Sequence, residues 1–332
     1  MNNLDPKDVE GSTGMLVSQC RQIWEDSKAL AVERYLSIQN IVLCGMGGSA
    51  YGGYVVNALF KNELKIPLYS NNDYDLPGFA DENTLVILSS YSGTTEEVLS
   101  CSEAAKKQGC KIFSISGGKK LTDAGLNFEP KFNPSGQPRL GTGYMVLGVI
   151  GILNKLGFLE LTDSEVETAV KELEENQENI KMQAKELSSK IKESIPLVFA
   201  AQHLGGNAHI LRNQFNETAK NFSAFSLLSE LNHHLLEGLK NPEDKKLIVL
   251  FLSSQLYSER MIKRFELTKD VVSKQGIPYL EYKASGSNKL SQMLNALSFG
   301  GYLSLYLAFL YKIDPSLIPW VDYFKNELQK SS

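Results

Sequence analysis

The sequence predicts an α/β protein of two tandem domains, each a parallel sheet flanked by helices, joined by a long helical connector. Three observations carry this. Apolar, β-branched runs that end in Gly- or Ser-rich turns alternate with helical stretches, the pattern of strands buried on both faces. The same plan occurs twice, and a charged, gap-free amphipathic segment separates the two copies. A chain of 332 residues has room for about two domains of ~150 residues each.

Taken in order, residues 1–35 form an N-terminal helical segment and residues 36–158 the first domain. Its first strand, Ile41 to Cys44, meets Gly45-Met46-Gly47-Gly48-Ser49-Ala50 and then a helix. Thr84 to Ser90 is a second strand, closed by Tyr91-Ser92-Gly93-Thr94-Thr95 before a helix over Glu96 to Gln108, and Cys110 to Ile115 is a third. Residues 159–193 are the connector: Val166, Val170, Leu173, Ile180, Leu187 and Ile191 keep to one helical face, and Thr162 with Glu165 has the form of a capping box. The second domain, 194–312, repeats the plan with strands at Ile195 to Ala200 and Lys246 to Ser254. Gly205-Gly206-Asn207-Ala208 follows Gly47-Gly48-Ser49-Ala50 by 158 residues, and Ser273 to Pro278 follows Lys106 to Lys111 by 167. Residues 313–332 hold Asp314-Pro315-Ser316 and a closing helix over Trp320 to Gln329.

Composition narrows the function classes. Hydrophobic residues at 42% and charged residues at 22% are ordinary for a packed globular chain, and a net charge of −4 gives no reason to expect nucleic acid as a partner. Cys20, Cys44, Cys101 and Cys110 are too few and too scattered for a disulfide framework, and no C-x-x-C pair points to zinc. With a polar start from Met1 to Asp8, a cytoplasmic location is expected. The uncharged stretches Leu140 to Asn154 and Leu290 to Tyr311 read as helices buried in a core, because the longer one carries Gln292, Asn295, serines and adjacent glycines; no membrane partner is expected.

In an open parallel sheet, ligands sit at the carboxyl ends of strands. Both strand-ending loops of the first domain combine glycine with hydroxyls and lead into helices, where backbone N–H groups and the helix dipole favour an anion. Phosphate is the natural guest. The absence of a G-x-x-x-x-G-K-[ST] lysine and of a convincing dinucleotide fingerprint disfavours nucleoside triphosphates and NAD. The second copy has few hydroxyls in its turn and no glycine in Ser253-Ser254-Gln255-Leu256-Tyr257, so no second phosphate is expected there. It carries Asn216-Glu217-Thr218-Ala219-Lys220, read as lying on a helix, and Glu230-Leu231-Asn232-His233-His234. Taken bare, Glu217 reads as a surface carboxylate and the histidines as satisfied structure; no histidine set has zinc-site spacing.

The Gly-Met-Gly-Gly-Ser-Ala opening, the Ser-Tyr-Ser-Gly-x-Thr-Glu-Glu loop, the Asn-Glu-x-x-Lys segment, the Asn-His turn and the Asp-Pro-led terminal helix occur in the order found in bifunctional phosphoglucose/phosphomannose isomerases. The chain resembles that family from about residue 35 to 330; its members have two SIS (sugar isomerase) domains. The resemblance implies a cofactor-free, metal-free aldose–ketose isomerase of carbohydrate metabolism, placed in glycolysis and gluconeogenesis. Its substrates would be fructose 6-phosphate, glucose 6-phosphate and mannose 6-phosphate. Phosphate binding maps to Gly47, Gly48, Ser49, Ser90, Ser92 and Thr95, the catalytic base to Glu217, the ring-opening histidine to His233, the terminal-helix lysine to Lys325 and the intermediate-stabilising arginine to Arg139. It also implies a homodimer in which the histidine reaches the partner's site.

Two departures stand out. Members usually read Asn-His-Asn-Glu where this chain has Asn232-His233-His234-Leu235, leaving His233 and His234 as alternatives, and Thr94 replaces an asparagine. The alternative functions are a non-catalytic SIS sugar-phosphate sensor and an isomerase of an amino-sugar or heptose phosphate. Residues 1–40 look too short and acidic for the DNA-binding domain such a sensor would need.

Overall fold

A computed structural model describes residues 4–32, 37–122 and 124–330; the expected boundary at residues 35 and 36 falls outside them. Two short helices, α1 (Val9–Gly14) and α2 (Leu16–Lys28), precede β1 (Asn40–Cys44), where Ile41 to Cys44 are all buried, as a strand covered on both faces requires. Then follow α3 (Tyr51–Leu59), β2 (Leu68–Asn71), β3 (Thr84–Ser89), α4 (Glu96–Lys107), β4 (Lys111–Ser116), β5 (Gly125–Asn127) and α5 (Thr142–Lys155). The strands form one parallel sheet in the order β2-β1-β3-β4-β5. One face is covered by Val98, Cys101 and Ala105 of α4, packed against Val42, Val86 and Leu88. The other is covered by α3 and α5, with α2 outside α5.

The connector is a single helix, α6 (Asp163–Ile191), closed at its start by the Thr162/Glu165 capping box. Beyond it come β6 (Ile195–Ala200), α7 (Gly205–Glu217), β7 (Ala224–Leu227), α8 (Leu235–Gly238), β8 (Leu247–Ser253), α9 (Glu259–Lys274), β9 (Tyr279–Lys283), α10 (Lys289–Leu310) and α11 (Pro319–Lys330). The second sheet is also parallel, in the order β7-β6-β8-β9. The uncharged Leu290 stretch is the helix α10, in which Leu290 to Gly300 are all buried; it packs along the apolar face of α6 and against α7.

The two halves meet helix to helix. A side chain at Gly206 would stand 2.7 Å from the Tyr54 carbonyl, so the start of α7 touches the backbone of α3. Tyr51 at the start of α3 lies beside Asn213 and Glu217 at the end of α7, so the two helices run antiparallel. This arrangement carries the last turn of α7 to the carboxyl ends of the first sheet's strands.

The structure corrects two readings. Gly47 has φ +49° and Gln202 has φ +45°, each opening a tight turn before its helix, so the counterpart of Gly47 is Gln202 rather than Gly205. The Gly205-Gly206 pair instead begins α7, where lack of a side chain permits the contact with α3. The Asn216-to-Lys220 segment is also not wholly helical: α7 stops at Glu217, and Lys220 is left-handed at φ 51°.

Candidate active site

The turn Gly47–Ala50 follows β1, and Ser90 to Thr95 follows β3, the two central neighbours of the first sheet. They are bonded to each other. Ser89 Oγ donates to the Ser49 carbonyl (2.6 Å), and Ser49 Oγ accepts from the Tyr91 N–H (2.9 Å). Ser90 Oγ lies 2.7 Å from Thr95 Oγ1 and accepts from the Gly93 N–H at 3.1 Å. Thr95 caps α4 in an extended conformation, and Ser92 is exposed, accepting from Thr94. Gly47, Gly48, Ser49, Ser90, Ser92 and Thr95 are therefore gathered at one sheet end, with the starts of two helices behind them.

Arg139 joins this cluster through its backbone: a side chain at Gly48 would stand 3.1 Å from the Arg139 Cα. The guanidinium is buried (6% exposed). Its Nη1 donates to Gln137 Oε1 and its Nη2 to the carbonyls of Pro315 and Ser316, each at 2.9 Å, while Nε has no partner and remains a buried donor. Burial pushes its pKa down, and the Glu217 carboxylate is the first charge opposing that shift.

Glu217 is the last residue of α7 and sits in a partly buried position. Burial raises its pKa; the positive charges of Arg139, Lys325 and Lys220 pull it back. A carboxylate raised by burial yet held ionisable by cations is what a general base near neutral pH requires. Lys325 lies on the solvent-exposed α11 within electrostatic range of it. Glu217, Arg139 and Lys325 are thus brought together beside the Gly47–Ala50 and Ser90–Thr95 loops, although two come from opposite halves and the third from the terminal helix.

His233 is not brought to them. Because β6 and β7 are parallel, α7 between them runs back toward their amino ends; beyond Glu217, Asn221 and Ser223 donate to the carbonyls of Ser194 and Pro196 there. His233 follows the other end of β7, where Leu228 N–H bonds the carbonyl of Ala200, the last residue of β6. A strand of this length separates them by roughly 15–20 Å. His233 is exposed, and its neighbour His234 is paired with Glu230 (2.7 Å). Asn232 is clamped to α9, accepting from Arg264 (3.1 Å) and donating to Thr268 (2.8 Å).

At the equivalent end of the second sheet, beside a pocket of about 330 Å³ lined by Ser253, Ser254, Tyr257 and Glu281, side chains bond to one another. Gln292 Oε1 takes both His203 Nε2 (3.0 Å) and Ser254 Oγ, and Gln202 exchanges hydrogen bonds with Ser258. Among the described residues no group of three or more metal-ligating side chains converges.

Sequence reasoning missed two neighbours of Glu217. Tyr51 is fully buried beside Asn213, and burial and then Glu217 raise its pKa. Lys220 was visible only as the last letter of a motif. A third omission is Gln19 of α2, fully buried, whose carboxamide donates to the carbonyls of Phe132 and Leu140 and accepts from Gly143 N–H, fastening the segment that bears Arg139.

Residues 180–328 match the family model for the bacterial phospho-glucose isomerase C-terminal SIS domain. The bifunctional phosphoglucose/phosphomannose isomerase of Caldicellulosiruptor bescii is 33% identical, covering 94% of this chain and 96% of its own; that of Aquifex aeolicus is 31% identical, covering 92% and 94%. The D-glucosamine-6-phosphate 4-epimerase of Sulfolobus acidocaldarius is 26% identical over 72% of this chain and 76% of its own. In fold, the chain is similar to a hypothetical protein of Thermus thermophilus (TM-score 0.72, 15% identity, 99% and 91% coverage). It is likewise similar to glucosamine-6-phosphate deaminase of Thermotoga maritima (TM-score 0.65, 16% identity, 93% and 97% coverage). With about a third of its residues shared across nearly the full length of both chains, the protein belongs to the bifunctional phosphoglucose/phosphomannose isomerase family.

Proposed function

We infer that this protein interconverts fructose 6-phosphate with glucose 6-phosphate and mannose 6-phosphate. The observation that carries the reading is the meeting of Glu217 with the Arg139 guanidinium beside two hydroxyl-bearing, helix-capping loops. Aldose–ketose isomerisation moves a proton between C1 and C2 through an enediolate, so it needs a base at the carbon and a cation at the developing oxyanion. In this reading the phosphate is held by Gly47, Gly48, Ser49, Ser90, Ser92 and Thr95, which fixes the reacting carbons at a distance from the anchor. Glu217 moves the proton. Arg139 offers its unpartnered Nε to the oxyanion, and Lys325 shares in the proton shuttle of ring opening. The planar enediolate has lost C2 stereochemistry, which lets one intermediate serve both epimers.

Ring opening also needs His233, and within one chain it stands at the wrong end of the sheet. The reading therefore includes a homodimer in which His233 of the partner subunit completes the site. The exposed apolar side chains of the terminal helix, Trp320 (81% exposed) and Phe324 (64%), support an association of that kind.

A coupled assay of the purified protein on fructose 6-phosphate, with and without chelator and alongside glucosamine 6-phosphate, tests the reading. Chelator-insensitive formation of glucose 6-phosphate and mannose 6-phosphate is expected. Turnover of glucosamine 6-phosphate alone would overturn it.

A further inference from the structure

Where α7 ends, the chain spends conformational energy on a lysine. Lys220 is left-handed at φ 51°, a backbone that glycine adopts freely and a lysine does not. Its ammonium folds back to donate to the carbonyls of Asp314 (2.9 Å) and of Thr218 (3.2 Å), the residue following Glu217. Arg139 donates to the next two carbonyls, those of Pro315 and Ser316. Three successive carbonyls of the turn leading to α11 are thus taken by two cations that flank one carboxylate. Within the turn, Ser316 bonds the Asp314 carboxylate through both N–H and Oγ, each at 2.7 Å, and Lys220 and Arg139 tie the turn to the rest of the chain.

We propose that Lys220 is a positioning residue for the reaction, fixing the turn that presents Lys325 and holding positive charge beside Glu217. The proposal rests on the functional reading above. The charged and titratable groups facing Glu217 are Arg139 before α5, Tyr51 on α3, Lys325 on α11 and Lys220 itself. Lys220 is exposed as a whole, but loss of hydration at its ammonium and the nearby Arg139, opposed by the Asp314 and Glu217 carboxylates, bring it down to about 8, so it is charged at neutral pH and below. Its charge favours the ionised form of Glu217; without it, Glu217 binds its proton more tightly and the acid limb of the rate profile moves to higher pH.

The decisive variant is Lys220→Gly, which removes the cation and relieves the left-handed strain together. Its thermal midpoint should match or exceed that of the wild type, while kcat falls about ten-fold or more with KM within about two-fold, the pattern of a lost transition-state contribution. The acid limb of kcat/KM should shift upward, and Lys220→Arg should bring it back. Titration of the Glu217 carboxyl by 13C NMR, assigned against Glu217→Gln, should show the same upward shift without any turnover. Lys220→Gly with wild-type kcat and an unmoved Glu217 titration overturns the proposal. So does joint loss of stability and activity in both variants, which would make Lys220 structural only. If the wild type turns over no sugar phosphate, the functional reading has failed, and the NMR titration still decides whether Lys220 sets the proton affinity of Glu217.

Discussion

Glu217 and His233 stand at opposite ends of the second sheet, one at the foot of α7 and the other beyond the carboxyl end of β7. If they serve one reaction, two chains must supply them. Mixing His233→Ala with Glu217→Gln should then restore part of the activity on cyclic hexose phosphates, because a heterodimer holds one site with both groups intact. No restoration, once subunit exchange has been demonstrated, would mean that base and histidine act within one chain. Loss in His234→Ala but not in His233→Ala would move the role along by one residue.

Glu217→Gln keeps the shape of the side chain and removes the proposed base. Exchange of the substrate C2 hydrogen with solvent, followed by NMR in deuterium oxide, should stop, while a sugar-phosphate inhibitor still binds. Near-wild-type exchange in this variant would end the mechanism described above.

The two loops proposed to hold the phosphate predict different costs. Ser49 Oγ is buried and accepts the Tyr91 N–H, so Ser49→Ala should raise KM and also lower the melting temperature, leaving a buried donor unpaired. Thr95 is half-buried and bonded to Ser90 Oγ, and Thr95→Ala should raise KM with little change in stability. Each lost bond to the anion costs about 1.5–3 kcal/mol of binding. Equal KM for both variants and the wild type would place the phosphate elsewhere.

Gln19→Leu tests the fastening of the Arg139 segment. It strands the carbonyls of Phe132 and Leu140 and the N–H of Gly143, at about 1–3 kcal/mol for each buried group left unpaired. Chemical denaturation should show the loss, and kcat should fall through displacement of Arg139. A fully stable, fully active variant would show that the segment holds itself.

His203 and His209 predict the acid side of the stability profile. Burial lowers both to about 4, His203 against Gln292 and His209 stacked between Tyr54 (3.8 Å) and Phe225 (4.5 Å). The unfolded chain, with histidines near 6.5, binds more protons than the folded one below that pH. Stability should therefore be full above about pH 6.5 and fall as pH drops toward 4. The double variant His203→Gln, His209→Phe should flatten this slope in thermal melts; an unchanged slope would assign acid lability to other groups.

The sequence made the central strands legible because a strand buried on both faces is an unbroken apolar run, as in Leu85 to Leu88 or Ile248 to Leu252. The edge strands β2, β5 and β7 carry polar or half-exposed residues over three or four positions, too short a signal to separate from loop. For the site, motif order pointed to Glu217, Arg139 and Lys325, yet nothing local indicated that they meet. That meeting depends on antiparallel packing of α3 against α7, set by a glycine at 206 whose partner lies about 150 positions earlier. Lys220 and Gln19 act by bonding backbone carbonyls, which leave no trace in side-chain patterns.

Gly47 and Gln202 share one backbone twist at matching points of the two halves. At the first, the missing side chain leaves the bend open to solvent; at the second, glutamine occupies the bend and locks onto Ser258, with His203, Ser254 and Gln292 bonded together behind it. A duplicated fold has thereby divided its labour. One copy keeps a bare glycine bend at its strand ends, while the other ties its bend down and, from the far end of α7, sets the Glu217 carboxylate against its twin.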